Sequence, residues 1–349
     1  MSVISRLLAR RSVWSRVVLI LVLLAAAASV PQLGSLYFVS LASNFLIFGL
    51  LAMSLDLLAG YTGLVSLGHA ATLGIGAYGV AVALSHGLDP NVSIGVALVA
   101  SLAVAAAFGL LAVRVGGITF VILTLALGQI VWGLAYRWVS VSGGDNGLPV
   151  GGSPAIGPID LSDRGAYYYF LLAVFVVCAT LMWALVRSPF GLSLRGIQDN
   201  ELRMKTLGYN VWLHKYLVFI IAGFFGGVSG ILFAFYNSYV SPTAIDFAHN
   251  ATAVQMVVVG GLGTLWGPVV GAILIVLMQQ YVSIYVTRWV TVLGIIFVLT
   301  VLFAREGAWG LLLRLRRWRA SLAGVSGPAP AQVATTASLE DLEITEAGR

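Results

Sequence analysis

Charged side chains are so sparse and so regularly spaced in this sequence that long stretches carry none. No Lys, Arg, Asp or Glu falls between Arg16 and Asp56, Asp56 and Asp89, Asp89 and Arg114, or Arg114 and Arg137. The same holds from Arg164 to Arg187, Lys215 to Asp246, Asp246 to Arg288, and Arg288 to Arg305. A helix crossing the hydrocarbon of a bilayer needs about 20 apolar residues. Most intervals therefore hold one crossing. Those beginning at Arg16 and Asp246 have room for two passes, or for one pass and a re-entrant segment. The expected fold class is all-α: a polytopic transmembrane helix bundle of about 8–10 spans with glycine-broken helices. Composition agrees, with 60% hydrophobic and 9% charged residues, against roughly 25% charged in soluble domains.

The basic residues set an orientation. They gather at Arg6, Arg10, Arg11 and Arg16, at Arg187, Arg195, Arg203, Lys205 and Lys215, and at Arg305, Arg314, Arg316, Arg317 and Arg319. Positive charge flanking membrane segments marks the cytoplasmic side, while the stretches near Asp89, 142–163 and 239–250 are acidic or neutral. This predicts N-in, C-in and an even number of crossings, with single spans at 92–113, 116–138, 166–186 and 216–238. The net charge of +6 is then a topology signal. No nucleic-acid partner is expected, because the basic residues are split among loops rather than gathered on one face. The first apolar run resembles a secretory signal, but with so many spans following, it reads as an uncleaved helix. The stretch from about 320 to 349, rich in Ala, Ser, Pro and Glu, reads as disordered.

Several catalytic classes are excluded. The match Gly74-Ile-Gly-Ala-Tyr-Gly79 to a dinucleotide fingerprint lies inside a charge-free run, without the strand, helix and acidic residue that give that pattern its chemistry. There is no GxxxxGK[ST], and neither lysine follows a glycine, so the chain has no P-loop for ATP. No HExxH, CxxC or clustered His/Cys set suggests a metal, and the four histidines are scattered. No cofactor, metal site or catalytic residue is predicted. The single cysteine, Cys178, reads as a small packing residue. His69 reads as a packing or hydrogen-bonding residue ahead of a proton relay.

Glycine carries more information, with 40 residues in the chain and its two densest runs at 60–78 and 260–271. Small residues let helices approach closely in lipid. The spacing Gly263, Gly267, Gly271 predicts three glycines on one helix face, and Gly226 with Gly230 repeats the device. Gly260-Gly261-Leu262-Gly263 followed by Pro268 also has the means to interrupt a helix, which at membrane depth happens only in buried or cavity-lining positions. Packing and pathway both remain open for these glycines. The shared G-x-x-G starts, Gly60/Gly63 and Gly260/Gly263, hint at an internal repeat. Asp56, flanked by apolar runs, reads either as an intramembrane functional carboxylate or, in the favoured reading, as a residue at the cytoplasmic interface.

The longest hydrophilic stretch between spans is Arg187–Trp212. Ser188-Pro189 can start a helix and Gly208 can end one, and Leu192, Leu194, Ile197, Leu202 and Leu207 form a broken amphipathic pattern. This predicts a short helix over 190–208, parallel to the membrane.

Here the sequence resembles a known family. RSPFGLSLRGIQDNELRMKTLGYNV (Arg187–Val211) is similar to the cytoplasmic signature of LivM-type permeases of branched-chain amino acid ABC importers (the LivH/LivM family). In this chain Leu202-Arg203 replaces the usual Ala-Ala. GYTGLVSLGHAATLGIGAY (Gly60–Tyr78), SGGDNGLP (Ser142–Pro149) and VVVGGLGTLWGPVVGA (Val257–Ala272) extend the resemblance over roughly 35–305. It implies a bacterial inner-membrane permease subunit without its own ATPase site. The implied partners are a second homologous permease subunit, two cytoplasmic ATPase subunits, a periplasmic or lipid-anchored substrate-binding protein, and membrane lipid. The implied division is a cytoplasmic N-terminus at 1–13, a permease domain at 14–305 with a cytoplasmic coupling loop at 187–215, and a cytoplasmic, largely disordered tail at 306–349. ATPase coupling falls to Arg195, Asp199, Asn200, Glu201 and Gly208. The pathway and helix breaks fall to Gly60, Gly63, Ser66, Gly68, His69, Gly260, Gly261, Gly263, Gly267 and Pro268. Docking of the binding protein falls to Gly143, Gly144, Asn146 and Gly147. The implied cargo is branched-chain amino acids, with urea, amides or aromatic acids as the alternative within the same fold. An ion-coupled carrier acting alone is the competing class.

Overall fold

The computed structural model describes residues 35–303, apart from 153–154, 157–158, 162 and 287, together with positions 25, 27–32, 307 and 310. The expected cytoplasmic N-terminus, most of the first span and the tail lie outside the described residues. Helices dominate: α1 (Leu36–Thr62), α2 (Ala70–Ser85), α3 (Pro90–Ala112), α4 (Gly117–Arg137), α5 (Arg164–Arg187), α6 (Pro189–Asp199), α7 (Glu201–Thr206), α8 (Val211–Asn237), α9 (Phe247–Gly260), α10 (Gly267–Tyr285) and α11 (Trp289–Phe303). Among the described residues six of these, α1, α3, α4, α5, α8 and α10, are long and apolar enough to cross a membrane. The four single spans read from charge spacing correspond to α3, α4, α5 and α8. The chain is an all-α transmembrane bundle.

Helices α1 and α8 form its centre. Buried residues make up 61% and 67% of their apolar windows, against 22–33% for α3, α4, α5 and α10, so these two are enclosed by protein rather than lipid. From Leu50 to Thr62 every residue of α1 is buried. Helices α5, α8, α9 and α10 pack around α1, and α2 and α3 pack against α8. The outer helices instead expose Ile118, Ile122, Ile130, Leu134, Val298 and Leu302, the surface expected where lipid is the solvent.

Glycine permits the tightest of these contacts. Gly226 faces Thr72 and His69, and Gly230 faces the Leu73 backbone, so both lie on the α8 face that meets α2. Gly76 answers from α2, lying against the Gly227 backbone. A Cβ at any of these positions would overlap a neighbour. The expected stripe of Gly263, Gly267 and Gly271 is corrected, because α10 starts only at Gly267 and Gly263 lies in the preceding loop with φ +72°. Gly271 does pack closely, against the Met256 carbonyl of α9.

Helices α2 and α9 are too short to span alone. At 1.5 Å per residue, α2 covers about 24 Å and α9 about 21 Å of a hydrocarbon core roughly 30 Å thick. Each is preceded by a non-helical approach: 63–69 before α2, and the 3-10 turn Pro242–Ile245 before α9. The interval after Asp246 holds two helices, α9 and α10, separated by a break at 261–266.

The single helix expected over 190–208 is two. Ser188 caps α6 by accepting from the Gly191 N–H at 3.3 Å, and the chain then breaks at Asn200, in extended conformation. The Asn200 side chain caps α7 by accepting from the Arg203 N–H at 2.9 Å. Between α4 and α5 the chain forms a helical turn at Val139–Ser142, a 3-10 turn at Gly144–Asn146 and the strand β1 (Leu148–Pro149). A small hairpin follows, β2 (Ala155–Ile156) with β3 (Ile159–Asp160). Strand β1 pairs antiparallel with β4 (Tyr239–Val240), Leu148 opposite Val240.

Replacing Gly230 by Val should destabilise the bundle by about 1–3 kcal/mol, the usual cost of overpacking, seen as a lower melting temperature of the solubilised protein. Gly95, with no neighbouring atom within 4 Å of its would-be Cβ, should accept Val with a change of no more than about 0.5 kcal/mol.

Candidate functional site

A helix that stops inside a protein leaves backbone N–H and C=O groups without intrahelical partners, and both breaks in this bundle are resolved by side chains from elsewhere in the chain. The α9–α10 break is resolved by Asp56. Its Oδ1 accepts from the Gly263 N–H at 2.7 Å and its Oδ2 from the Leu265 N–H at 3.0 Å. Gly263 has φ +72° and Leu265 φ +57°, a left-handed conformation uncommon for a residue with a branched side chain. The turn is completed locally: Thr264 Oγ1 donates to the Gly261 carbonyl at 2.8 Å and accepts from the Gly267 N–H at 3.0 Å. Asp56 is fully buried. The carboxyl group is enclosed between the body of α1 and the 261–266 loop.

The two glycine-rich runs meet at this point. A Cβ on Gly60 would collide with both the Asp56 carboxyl group and the Gly263 backbone. Gly260 lies equally close to the Gly267 carbonyl and to Pro268. Gly60, Gly260, Gly261, Gly263, Gly267 and Pro268 thus belong to one junction, although about two hundred residues separate its halves.

The second break, at 63–69, lies further along the chain. Gly63 ends α1 in the left-handed region, φ +72°, with its N–H on the Leu58 carbonyl. Ser66 is buried and accepts from the Gly68 N–H at 3.3 Å. Gly68 fits against the Thr124 carbonyl and Gly128 of α4, and the Leu67 N–H donates to Thr124 Oγ1 at 3.3 Å. At the start of α2 the Ala70 N–H donates to Asn250 Oδ1 at 2.7 Å. Asn250 in turn donates to the Asp246 carbonyl at 3.2 Å, so one side chain joins the N-terminal ends of the two short helices. His69, 3% exposed, hydrogen-bonds Ser54 Oγ through Nε2 at 2.8 Å, in keeping with the packing role read from the sequence. Asn250, Thr124 and Ser54 were not among the residues singled out. Their signal is an isolated polar residue in a charge-free run.

The loop Arg187–Trp212 touches this junction from one side. Arg195 of α6 sits over the Tyr61 ring with its guanidinium carbon 4.9 Å from the centroid, and Gln198 lies beside Gly63. Ile197, Met204 and Val211 form a small buried cluster binding α6, α7 and the start of α8. Glu201 pairs with the buried Lys215 at the base of α8, so it anchors α7 internally. Asp199 and Asn200 are exposed. Gly208 is exposed too, with φ +86° and its N–H on the Lys205 carbonyl at 3.0 Å. Leu192, Leu202 and Leu207 present 64–73% of their surface outward, an apolar set on the otherwise polar loop.

Gly143, Gly144, Asn146 and Gly147 lie together at the other end of the bundle. All three glycines have positive φ. Gly147 has room for no side chain, because Val240 and Tyr239 close over it. The Tyr239 hydroxyl donates to the Asn146 carbonyl, tying this loop to β4. At the end of α1 remote from Asp56 is a cavity of about 540 Å³ lined by residues that include Ser40, Ser43, Arg164, Tyr167, Tyr236 and Asn237. Among the described residues no group of three or more His, Cys, Asp or Glu has metal-binding geometry.

Residues 37–303 match the family described as the permease component of branched-chain amino acid transport systems. The high-affinity branched-chain amino acid transport system permease protein LivM of Salmonella typhimurium is 27% identical over 313 residues, covering 82% of this chain and 73% of its own length. The Escherichia coli protein of the same name is 27% identical over 310 residues with the same coverage. The guanosine ABC transporter permease protein NupQ of Bacillus subtilis is 34% identical over 107 residues, 30% of either chain. No solved structure matches. The chain belongs to the family of branched-chain amino acid transport permeases.

Changing Asn250 to Ala leaves the Ala70 N–H without its acceptor, which should cost about 1–3 kcal/mol and lower the melting temperature in detergent. Ile122→Ala on the lipid-facing side of α4 serves as the comparison and should leave that temperature nearly unchanged.

Proposed function

We propose that this member of the family is the translocation subunit of an ATP-driven importer for branched-chain amino acids, working in the bacterial inner membrane with its N- and C-termini in the cytoplasm. Two cytoplasmic ATPase subunits supply the energy, a second homologous permease subunit completes the pathway, and a periplasmic or lipid-anchored binding protein delivers the cargo. This chain itself catalyses nothing.

The observation that carries this reading is the contact between α6 and the end of α1. Arg195 and Gln198 rest on Tyr61 and Gly63, directly beside the junction where the broken helices meet. A force applied to the exposed leucines of α6 and α7 by an ATPase therefore reaches the breaks through packed side chains rather than through a flexible linker. Broken segments of this kind are where transporters change between two packings, alternating access from one face to the other. The 540 Å³ cavity at the opposite end of α1 is within the usual size range of small-molecule sites and suits an outer vestibule. The glycine loop at 143–147, braced by Tyr239, suits the surface that meets the binding protein. Charge supports the same orientation, since Arg187, Arg195, Arg203, Lys205 and Lys215 all lie around α6 and α7.

The short match to a guanosine permease favours one second reading, nucleosides as cargo on the same scaffold. Uptake of labelled leucine and labelled guanosine by vesicles holding the whole complex separates the two. ATP-dependent leucine uptake that disappears when the ATPase subunits are omitted is the expected result. Uptake driven by an ion gradient without them would defeat the importer reading. Gly208→Pro replaces a φ of +86° by a ring fixed near −65° and removes the N–H that caps α7. ATP hydrolysis should persist while uptake falls by about tenfold or more, the size of a lost coupling between sites.

A further inference from the structure

Both oxygens of the buried Asp56 carboxyl group are taken up by the backbone rather than left open to a pathway, and in lipid an ionisable side chain is costly to retain. Its surroundings specify what it does. Both oxygens are committed to backbone N–H groups of one short loop, Gly263 at 2.7 Å and Leu265 at 3.0 Å. Neighbouring amides of one turn aimed inward in this way form a concavity suited to an anion. The loop supplies that concavity through two left-handed residues, one of them a leucine. Without an acceptor, the loop would hold unpaired donors in a strained backbone. Asp56 therefore determines whether the 261–266 turn exists in this form.

The same stretch of α1 reaches the cytoplasmic loop by a different surface. Gly60, one turn on from Asp56, is pressed against Gly263. Tyr61, buried at 2% exposure, carries the Arg195 guanidinium over its ring at 4.9 Å. One and a half turns of α1 thus hold, on one side, the break between α9 and α10 and, on another, the helix α6.

We propose that Asp56 is a positioning residue that makes these two contacts a single unit: Asp56, Tyr61 and Arg195 link α6 to the α9–α10 break, so that displacement of α6 loosens the 261–266 turn. Carboxyl–amide bonds are short and directional, whereas the Arg195–Tyr61 contact tolerates sliding. The turn is therefore released when α6 shifts far enough to withdraw the guanidinium from Tyr61, and it stays formed through smaller fluctuations. The inference deepens the importer reading and, for its part in transport, rests on it.

Amide hydrogen exchange across 261–266 in the full chain, held in lipid nanodiscs, tests the linkage without any substrate. Asp56→Asn offers one acceptor where two are needed and should speed exchange there by about tenfold. Arg195→Gln, on the exposed face of α6 and outside the turn, should speed it by about fivefold, both within the range of couplings between distinct sites. If the three residues act as one unit, the double variant exchanges no faster than Asp56→Asn alone. A purely structural Asp56 predicts otherwise, with Arg195→Gln leaving 261–266 untouched or the two effects multiplying. Either result overturns the proposal, and the Arg195→Gln arm decides it even where Asp56→Asn fails to fold. In the assembled complex the same variants should raise the ATP hydrolysed per leucine imported. Absence of ATP-driven leucine uptake by the unaltered complex would instead refute the importer reading, while the exchange result still decides the linkage.

Discussion

Inside a bilayer there is no water to satisfy a peptide group that has lost its helical partner. Every interruption of a helix in this chain must therefore be answered by another part of the chain. Asp56 answers the interruption at 261–266, and Asn250 and Thr124 answer the one at 63–69. These donors and acceptors come from α1, α9 and α4, so each break recruits a distant helix and fixes its height in the bundle. The central position of α1 follows, because it carries both the carboxyl group that supports one break and the Gly63 end that opens the other. Burial of nearly all its second half is a consequence of that double duty.

How much of this was legible in the sequence depends on whether the feature has a period. The spans at 92–113, 116–138, 166–186 and 216–238 are set by the charges around them, which are costly in lipid, so their limits lie within a few residues of α3, α4, α5 and α8. The loop at 187–212 was legible through its polarity and through Ser188-Pro189, yet its division at Asn200 was not. An apolar pattern broken by Asp199-Asn200-Glu201 reads equally as one irregular helix or as two, and only the Asn200 cap decides. The glycine stripe through Gly263 failed for a related reason. A spacing of four places residues on one face only if the backbone between them is helical, and left-handed conformations at Gly263 and Leu265 end that premise.

The site was legible in its parts but not in its assembly. Gly60, Gly63, Gly260 and Gly263 stand out by composition, and His69 and Asp56 by polarity. That Gly60 packs on Gly263, with Asp56 holding the loop between, depends on tertiary contacts about two hundred residues apart, for which no local pattern exists. Asn250 shows the limit most clearly. A lone asparagine in an apolar run carries no periodicity, and nothing but the meeting of α2 and α9 reveals what it holds. The family resemblance supplied the functional frame, and the geometry supplied the contacts through which that frame can operate.

The glycine contacts have a consequence at the level of the gene. Any missense change at a glycine codon replaces hydrogen by carbon at the one position where Gly60, Gly68, Gly76, Gly230 and Gly260 meet a neighbouring backbone. For most residues in a core some single-base substitutions are mild, since a similar side chain lies one step away. At these positions no mild step exists, because alanine already collides. The permease thus concentrates its mutational fragility in its smallest residues, while the bulky side chains that face lipid are the ones free to drift.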